Sequence, residues 1–307
     1  MGFLSAIDTT ILLGLCYCGI ALGLVVSLRF LNFPDLTIEG SVPLGGSVGG
    51  VVLVHTGSFT LALVAAVASG ALAGCVTASL HVFLGVGKLL SGILMLAALY
   101  SICLRVLGGS NLSLLRVDGA WARIDSFDRQ LSDSFGVSID PWKIGLLCLL
   151  IGSLAFVIIL FFNSRSGIAI RAVGDNENVL PMMGRDGRLF KFIGLALANS
   201  LGALAGSLVA FNQGFADVGM GQGGLVLGLA GLILGEQSLG RVIGSRRLVV
   251  ALVLGAIFGS VLYQIALSLS FQLGVRASDV KLLTAAIVLT AIVSTGGGSV
   301  FYKGRTF

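Results

Sequence analysis

Two short polar stretches hold the residues of this chain that could do chemistry, each set against a long apolar run. In the first, Asn32-Phe-Pro-Asp-Leu-Thr-Ile-Glu-Gly, the carboxylates Asp35 and Glu39 stand near Pro34 and Pro43. In the second, Asn212-Gln-Gly-Phe-Ala-Asp-Val-Gly-Met-Gly-Gln-Gly-Gly, the amides Asn212, Gln213 and Gln222 surround one carboxylate, Asp217. Ionisable groups at membrane depth cost several kcal/mol unless paired or wet, so these six residues are candidates for lining or gating a solute path. Capping of the following helix by Asp35 and of an outer loop by Asp217 is the plainer role, and the residues leave both readings open. Prolines interrupt backbone hydrogen bonding, so the first stretch reads as a broken helix. If the second unwinds too, amides freed at a helix N-terminus could bind a solute carboxylate, and a side-chain carboxylate could meet an ammonium.

Other chemistries lack their residues. Gly87-Lys88-Leu89 has no glycine five positions before Gly87, and Leu89 stands where a phosphate loop needs Ser or Thr for magnesium. The chain is therefore not expected to hydrolyse ATP itself. His55 and His81 are isolated from acidic or thiol ligands, and no nucleophile–base pair occurs, so neither metal, cofactor nor catalytic residue is expected. All 5 cysteines fall inside apolar runs and read as small buried hydrophobes.

The elements that must hold these residues are membrane spans. Apolar residues make up 56% of the chain and charged ones 11%, and apolar runs repeatedly reach the roughly 20 residues that cross a bilayer. Runs at 11–30, 42–54, 59–84, 89–107, 142–162, 192–211, 218–234, 248–269 and 282–294 give about nine spans, within a range of roughly eight to ten. The expected fold is an all-α, polytopic integral membrane protein in which residues 1–307 form a single domain. The first run reads as an uncleaved span, because Leu15 precedes Cys16 where a lipoprotein site needs a small residue, and residues 1–10 carry no basic segment.

Basic residues set the orientation. Arg165, Arg171, Arg185, Arg188 and Lys191, then Arg241, Arg246 and Arg247, then Lys303 and Arg305 mark cytoplasmic segments. The loop at 108–141, rich in aspartate (Asp118, Asp125, Asp128, Asp133, Asp140), then faces outward, and the net charge of +5 resides on inner loops rather than implying nucleic-acid binding.

The chain also looks duplicated. Lys88-Leu-Leu-Ser-Gly-Ile-Leu-Met-Leu nearly returns as Lys281-Leu-Leu-Thr-Ala-Ala-Ile-Val-Leu, Gly70-Ala-Leu-Ala-Gly as Gly255-Ala-Ile-Phe-Gly, and Phe33-Pro-Asp-Leu as Phe215-Ala-Asp-Val. With Asp35 at an inner end and Asp217 at an outer one, the copies are inverted: repeat one near 11–107, a connector at 108–191, and repeat two near 192–296. Glycines four apart at Gly70/Gly74, Gly202/Gly206, Gly224/Gly228, Gly231/Gly235 and Gly255/Gly259 predict close helix packing. Between the repeats, residues 166–184 predict a short amphipathic helix on the cytoplasmic surface, with Ile168, Ala169, Ala172 and Val173 on one face and Arg171 four residues before Asp175. Such a helix suits docking of a soluble partner, the bland alternative being a solvated loop.

The runs Leu31-Asn-Phe-Pro-Asp-Leu-Thr-Ile-Glu-Gly-Ser-Val-Pro-Leu-Gly, Leu90-Ser-Gly-Ile-Leu-Met-Leu-Ala-Ala-Leu-Tyr-Ser-Ile, Gly167-Ile-Ala-Ile-Arg-Ala-Val-Gly-Asp-Asn and Gly214-Phe-Ala-Asp-Val-Gly-Met-Gly resemble inner-membrane permeases of bacterial ABC importers. More narrowly, the chain is similar over its whole length to the branched-chain amino acid permease superfamily, in a subgroup assigned to tryptophan and tyrosine uptake. The resemblance implies a second permease copy, cytoplasmic ATPase subunits, an extracytoplasmic solute-binding lipoprotein, and a place in the bacterial cytoplasmic membrane. It also makes 167–184 a coupling helix in which Arg171, Asp175, Asn176 and Gly184 belong to the ATPase contact. Leu180-Pro-Met-Met-Gly-Arg-Asp departs from the plainer, alanine-rich continuation expected there. The competing class is an ion-coupled secondary transporter in which Asp35 or Asp217 carries a proton or binds sodium.

Overall fold

The computed structural model describes residues 3–115, 141–243, 248–276 and 279–294. Helix α1 (Phe3–Leu24) continues through a π-helical segment, Val25–Phe30, and is followed by α2 (Thr37–Thr56), α3 (Phe59–Val82), α4 (Lys88–Leu107) and a short strand β1 (Asn111–Ser113). Then come α5 (Pro141–Asn163), the small helices α6 (Arg165–Asp175) and α7 (Val179–Met182), α8 (Arg188–Gln213), strand β2 (Phe215–Asp217), α9 (Gly224–Ile243), α10 (Leu248–Gln272) and α11 (Val280–Ser294). Among the described residues 7 helices are long and apolar enough to cross a bilayer, and the shorter apolar stretches Gly224–Leu239 and Val280–Thr290 fall where the two remaining spans are expected. The chain is an all-α, multi-pass membrane protein, with one two-stranded ribbon as its only sheet among the described residues.

Glycine decides which helices touch. α1 and α8 form the centre, 78% buried each against 22% for the peripheral α5. They run antiparallel, Gly19 lying under Leu201 and Ala205 and Gly23 under Ala198. α2 lies parallel to α8, with Gly202 against Ile38, Gly206 against Val42 and Gly49 against Ser207, while α3 packs antiparallel through Gly70 on Asn199 and Gly74 on Leu195. On the other side, α9 runs parallel to α1, Gly224 meeting Ile20 and Gly228 meeting Leu24, and α10 returns along α9 with Gly255 on Gly235 and Gly259 on Gly231. Every glycine pair marked in the sequence thus faces a neighbouring helix. In lipid no hydrophobic drive pulls helices together, so backbone approach and dense dispersion contact must do it.

Two non-helical segments interrupt the bundle. Between α1 and α2, the wide helical turn ends with the Leu31 amide donating to Val26 O at 3.0 Å and the Phe33 amide to Ser27 O at 2.7 Å. Asn32 follows in a left-handed conformation, φ 50°, which asparagine tolerates better than most residues. Pro34 lies in this break, whereas Pro43 sits inside α2, which continues as helix past it. The expected interruption at Pro43 does not occur, because enclosure of α2 by α3, α4 and α8 outweighs one lost hydrogen bond.

The second segment, 214–223, turns out of α8 at Gly214, φ 78°. β2 pairs antiparallel with β1, Asn111 opposite Asp217, Leu112 opposite Ala216 and Ser113 opposite Phe215. The chain then descends along α2, with Ala216 beside Gly50, Met220 beside Gly46, and Gly221 against the Glu39 carbonyl and the Pro43 ring. Irregular backbone survives at such depth only where protein encloses it. The ribbon marks one end of the molecule, and Lys88, Lys191 and α6–α7 mark the other, the basic end. The aspartates between 118 and 140, and Arg246, Arg247, Lys303 and Arg305, lie outside the described residues.

Candidate functional site

At the first break the polar groups turn inward. Asp35, 2% exposed, accepts the Thr37 amide at 2.9 Å through Oδ1 and the Asn199 side-chain amide at 2.7 Å through Oδ2. Asn199 also donates to Leu195 O at 2.9 Å and accepts the Ser41 hydroxyl at 2.7 Å, while the Thr37 and Thr77 hydroxyls meet at 2.8 Å. Asp35 therefore closes the turn into α2 and also fastens α2 to α8. Asn199 was not singled out from sequence, although its signal is there: an amide in the middle of the run at 192–211 needs partners to be worth burying.

At the second break the carboxylate and the helix start come from different helices. Glu39, in the first turn of α2, accepts the Gly223 amide at 2.7 Å, so a carboxylate of the chain itself sits at the N-terminus of α9. That is where the sequence placed amides awaiting a solute carboxylate. Gln222 is exposed beside this junction. Asp217 accepts the Gly219 amide at 2.6 Å in its own turn, and Asn212, half-buried, and Gln213, exposed, end α8 near the ribbon. The six candidates thus divide into Glu39 with Gln222 at the meeting of α2 and α9, Asp35 on Asn199, and Asn212, Gln213 and Asp217 at the ribbon end. Glu39→Ala should destabilise the α9 start by about 1 kcal/mol, the usual worth of a lost cap, whereas Glu39→Gln keeps the acceptor and should unfold near the wild-type temperature in detergent. Equal losses from both variants would mean that the cap is not what Glu39 supplies.

A further link ties α1 to α9. Arg29, at the end of the π-helical segment, holds Glu236 through two bonds of 2.6 and 2.5 Å, a planar pairing whose partners are only 19% and 18% exposed. A groove of about 400 Å³ between α1, α5 and α10 is lined by Leu15, Ile151, Phe156, Leu254 and Ile257. Its walls are apolar and none of the six candidates reaches it.

At the basic end, Ser164 caps α6 by accepting the Gly167 amide at 3.5 Å. Gly167 presses on Phe161 and Phe162, and Gly174 on the Phe30 carbonyl and Leu31, so α6 is seated against α5 and the first break. This contact rotates the helix away from the expected face: Ala169, Ile170 and Val173 are buried, while Ile168 is 52% exposed. Arg171 is half-buried, and Asp175, Asn176 and Gly184 are exposed. Met182 and Met183 stand out at 81% and 73% exposure. The result is a rigidly seated knob with apolar, adaptable tips inside a polar rim.

Comparison with known proteins fits this architecture. A family model described as the branched-chain amino acid transport system permease component matches residues 6–293. A tyrosine transport system permease protein of Clostridioides difficile (strain R20291) is 32% identical, over 98% of this chain and 94% of the relative. An uncharacterized protein of Rickettsia prowazekii (strain Madrid E) is 28% identical, over 89% of this chain and 91% of that protein. No solved structure matches at a significant level.

Proposed function

The chain belongs to the branched-chain amino acid transport permease family, and from that membership we propose that it is the membrane subunit of an importer driven by a separate ATPase. The observation that carries this reading is the α6–α7 knob. Its inner face packs against the first break and its outer face offers Ile168, Met182 and Met183 within a rim that includes Arg171, Asp175, Asn176 and Gly184, the form of a handle for a soluble motor. The basic end is then cytoplasmic, in the bacterial inner membrane, and the ribbon end receives the solute from a binding lipoprotein. The printed name of the Clostridioides difficile relative makes tyrosine the first solute to test, within a class of aromatic or branched-chain amino acids.

We read α1–α4 and α8–α11 as the inverted repeats, near 11–107 and 192–296, with 108–191 connecting them. Support comes from the pairing pattern: α2 lies parallel on α8 as α9 lies on α1, and α3 runs antiparallel to α8 as α10 does to α1. The junction of Glu39, Gln222 and Gly223 then acts as a gate between halves, Asn212, Gln213 and Asp217 form the outer rim, and Asp35 holds the gate helix to α8. A second copy of the chain completes the transporter.

The test is reconstitution with a candidate ATPase and a candidate solute-binding lipoprotein from the same organism. Labelled tyrosine should enter vesicles only with ATP and the lipoprotein present. Uptake by the chain alone on a proton or sodium gradient would replace this reading with a secondary transporter.

A further inference from the structure

Two residues beyond the end of α6, the Glu177 carboxylate pairs with cations from two different helices. Its Oε1 takes the Lys88 ammonium at 2.7 Å and its Oε2 the Lys191 ammonium at 2.7 Å. Lys88 opens α4, reaches the Asn32 carbonyl at 3.5 Å and lies 6.0 Å over the Phe33 ring. Lys191, in the first turn of α8, stands 3.4 Å from His81 Nε2 at the end of α3. An ammonium only donates, so Nε2 accepts and Nδ1 carries the proton to Val86 O at 2.9 Å. The His81 ring in turn meets Phe33 edge-on at 5.2 Å. One carboxylate therefore connects the α6–α7 knob to α3, α4, α8 and the left-handed residue of the first break.

Direct packing alone would let the knob ride on the bundle. The charge cluster adds a directional link, because Lys191 and Asn199 lie on the same helix two turns apart, about 12 Å along its axis. The contacts form a continuous route from Glu177 to α8 at Lys191 and to the Asn32 carbonyl at Lys88, and the Asn199–Asp35 bond continues it to the start of α2. The two lysines hold the Glu177 carboxyl down to about 2 from 4.5. Its depressed value means that the attraction is complete above the ordinary carboxylate range and is lost only as pH falls toward 2, so the link stays charged wherever the protein works.

We propose that Glu177 is the positioning residue through which movement of the α6–α7 knob reaches the membrane breaks, Lys88 and Lys191 being its two anchors. The inference rests on the importer reading above. Loss of the link should cut the ratio of solute moved to ATP hydrolysed by about tenfold.

The experiment uses the assembled complex in proteoliposomes, comparing wild type, Glu177→Gln, and Glu177→Lys combined with Lys191→Glu. Expected are wild-type co-purification of the ATPase with Glu177→Gln, ATP hydrolysis close to normal, and transport per ATP down about tenfold, with partial recovery in the charge-reversed pair. Unchanged transport per ATP in Glu177→Gln overturns the proposal. So does a proportional loss of ATPase binding, hydrolysis and transport without recovery, which would make Glu177 a structural or docking residue. Wild-type transport that ignores ATP removes the importer reading itself, and this inference with it, a result distinct from an ATP-driven wild type beside an equally coupled variant.

Discussion

Gly206→Leu is expected to yield no folded protein. Gly206 lies where α8 crosses α2, and a side chain there would enter the Val42 carbonyl and its backbone carbons, with Gly45 meeting Ala203 in the same seam. Overpacking against movable side chains costs about 1–3 kcal/mol. Here the obstacle is backbone on a buried helix, so the helices must separate, and with them go the Ser41–Asn199 and Asn199–Asp35 bonds. Against a typical stability of about 5–15 kcal/mol, that compound loss is decisive. Gly145→Leu is the control: it makes the same change on α5, where a side chain at Gly145 would meet nothing within 4 Å. Extraction in mild detergent followed by size-exclusion chromatography should give a single folded peak for Gly145→Leu and aggregate or nothing for Gly206→Leu. Comparable folded yields would refute the close α2–α8 contact.

Asn199→Ala should rank second. It leaves Asp35 Oδ2 and the Ser41 hydroxyl without the partner they now share, both on residues shut off from solvent. Each stranded polar group costs about 1–3 kcal/mol, and a buried carboxylate costs more, so about 3 kcal/mol or greater is expected. Asp35→Ala removes the acceptor instead and leaves one amide hydrogen of Asn199 unmatched, while the other still meets Leu195 O. Because the two residues act as one unit, the double variant should lose less than the sum of the singles by about 1–3 kcal/mol. Thermal unfolding in detergent, run as a double-mutant cycle, measures this. Strict additivity would show that Asp35 and Asn199 do not depend on each other.

What could be read in the sequence, and what could not, divides along the same lines as these two effects. The runs of apolar residues near 59–84, 89–107, 142–162 and 248–269 became α3, α4, α5 and α10 with ends displaced by a few residues, because in lipid a continuous apolar run satisfies its backbone only as helix. The glycine pairs were legible as contact faces for the same local reason, since their spacing fixes one side of a helix. Pro43 misled, because a proline's local cost is small beside the enclosure that tertiary packing provides. Ile168 misled too, as helical periodicity gives a stripe but the seats of Gly167 and Gly174 choose which side of it is buried.

The polar residues depended on tertiary structure most of all. Sequence named Asp35, Glu39, Asn212, Gln213, Asp217 and Gln222 because charge and amide groups are expensive in a bilayer, and the same rule pointed no further than that expense. Asn199, Arg29, Glu177 and Lys88 owe their meaning to partners far along the chain: Asn199 to Asp35, Arg29 to Glu236, and Glu177 to Lys88. Composition and periodicity by themselves determined an all-helical bundle and the placing of most of its spans, since those follow from solvent and from spacing along one helix, while the family likeness rested on the particular motifs at 31–45, 90–102, 167–176 and 214–221. Only the folded chain decided which carboxylate faces which amide, because that choice depends on which helices the glycines bring into contact.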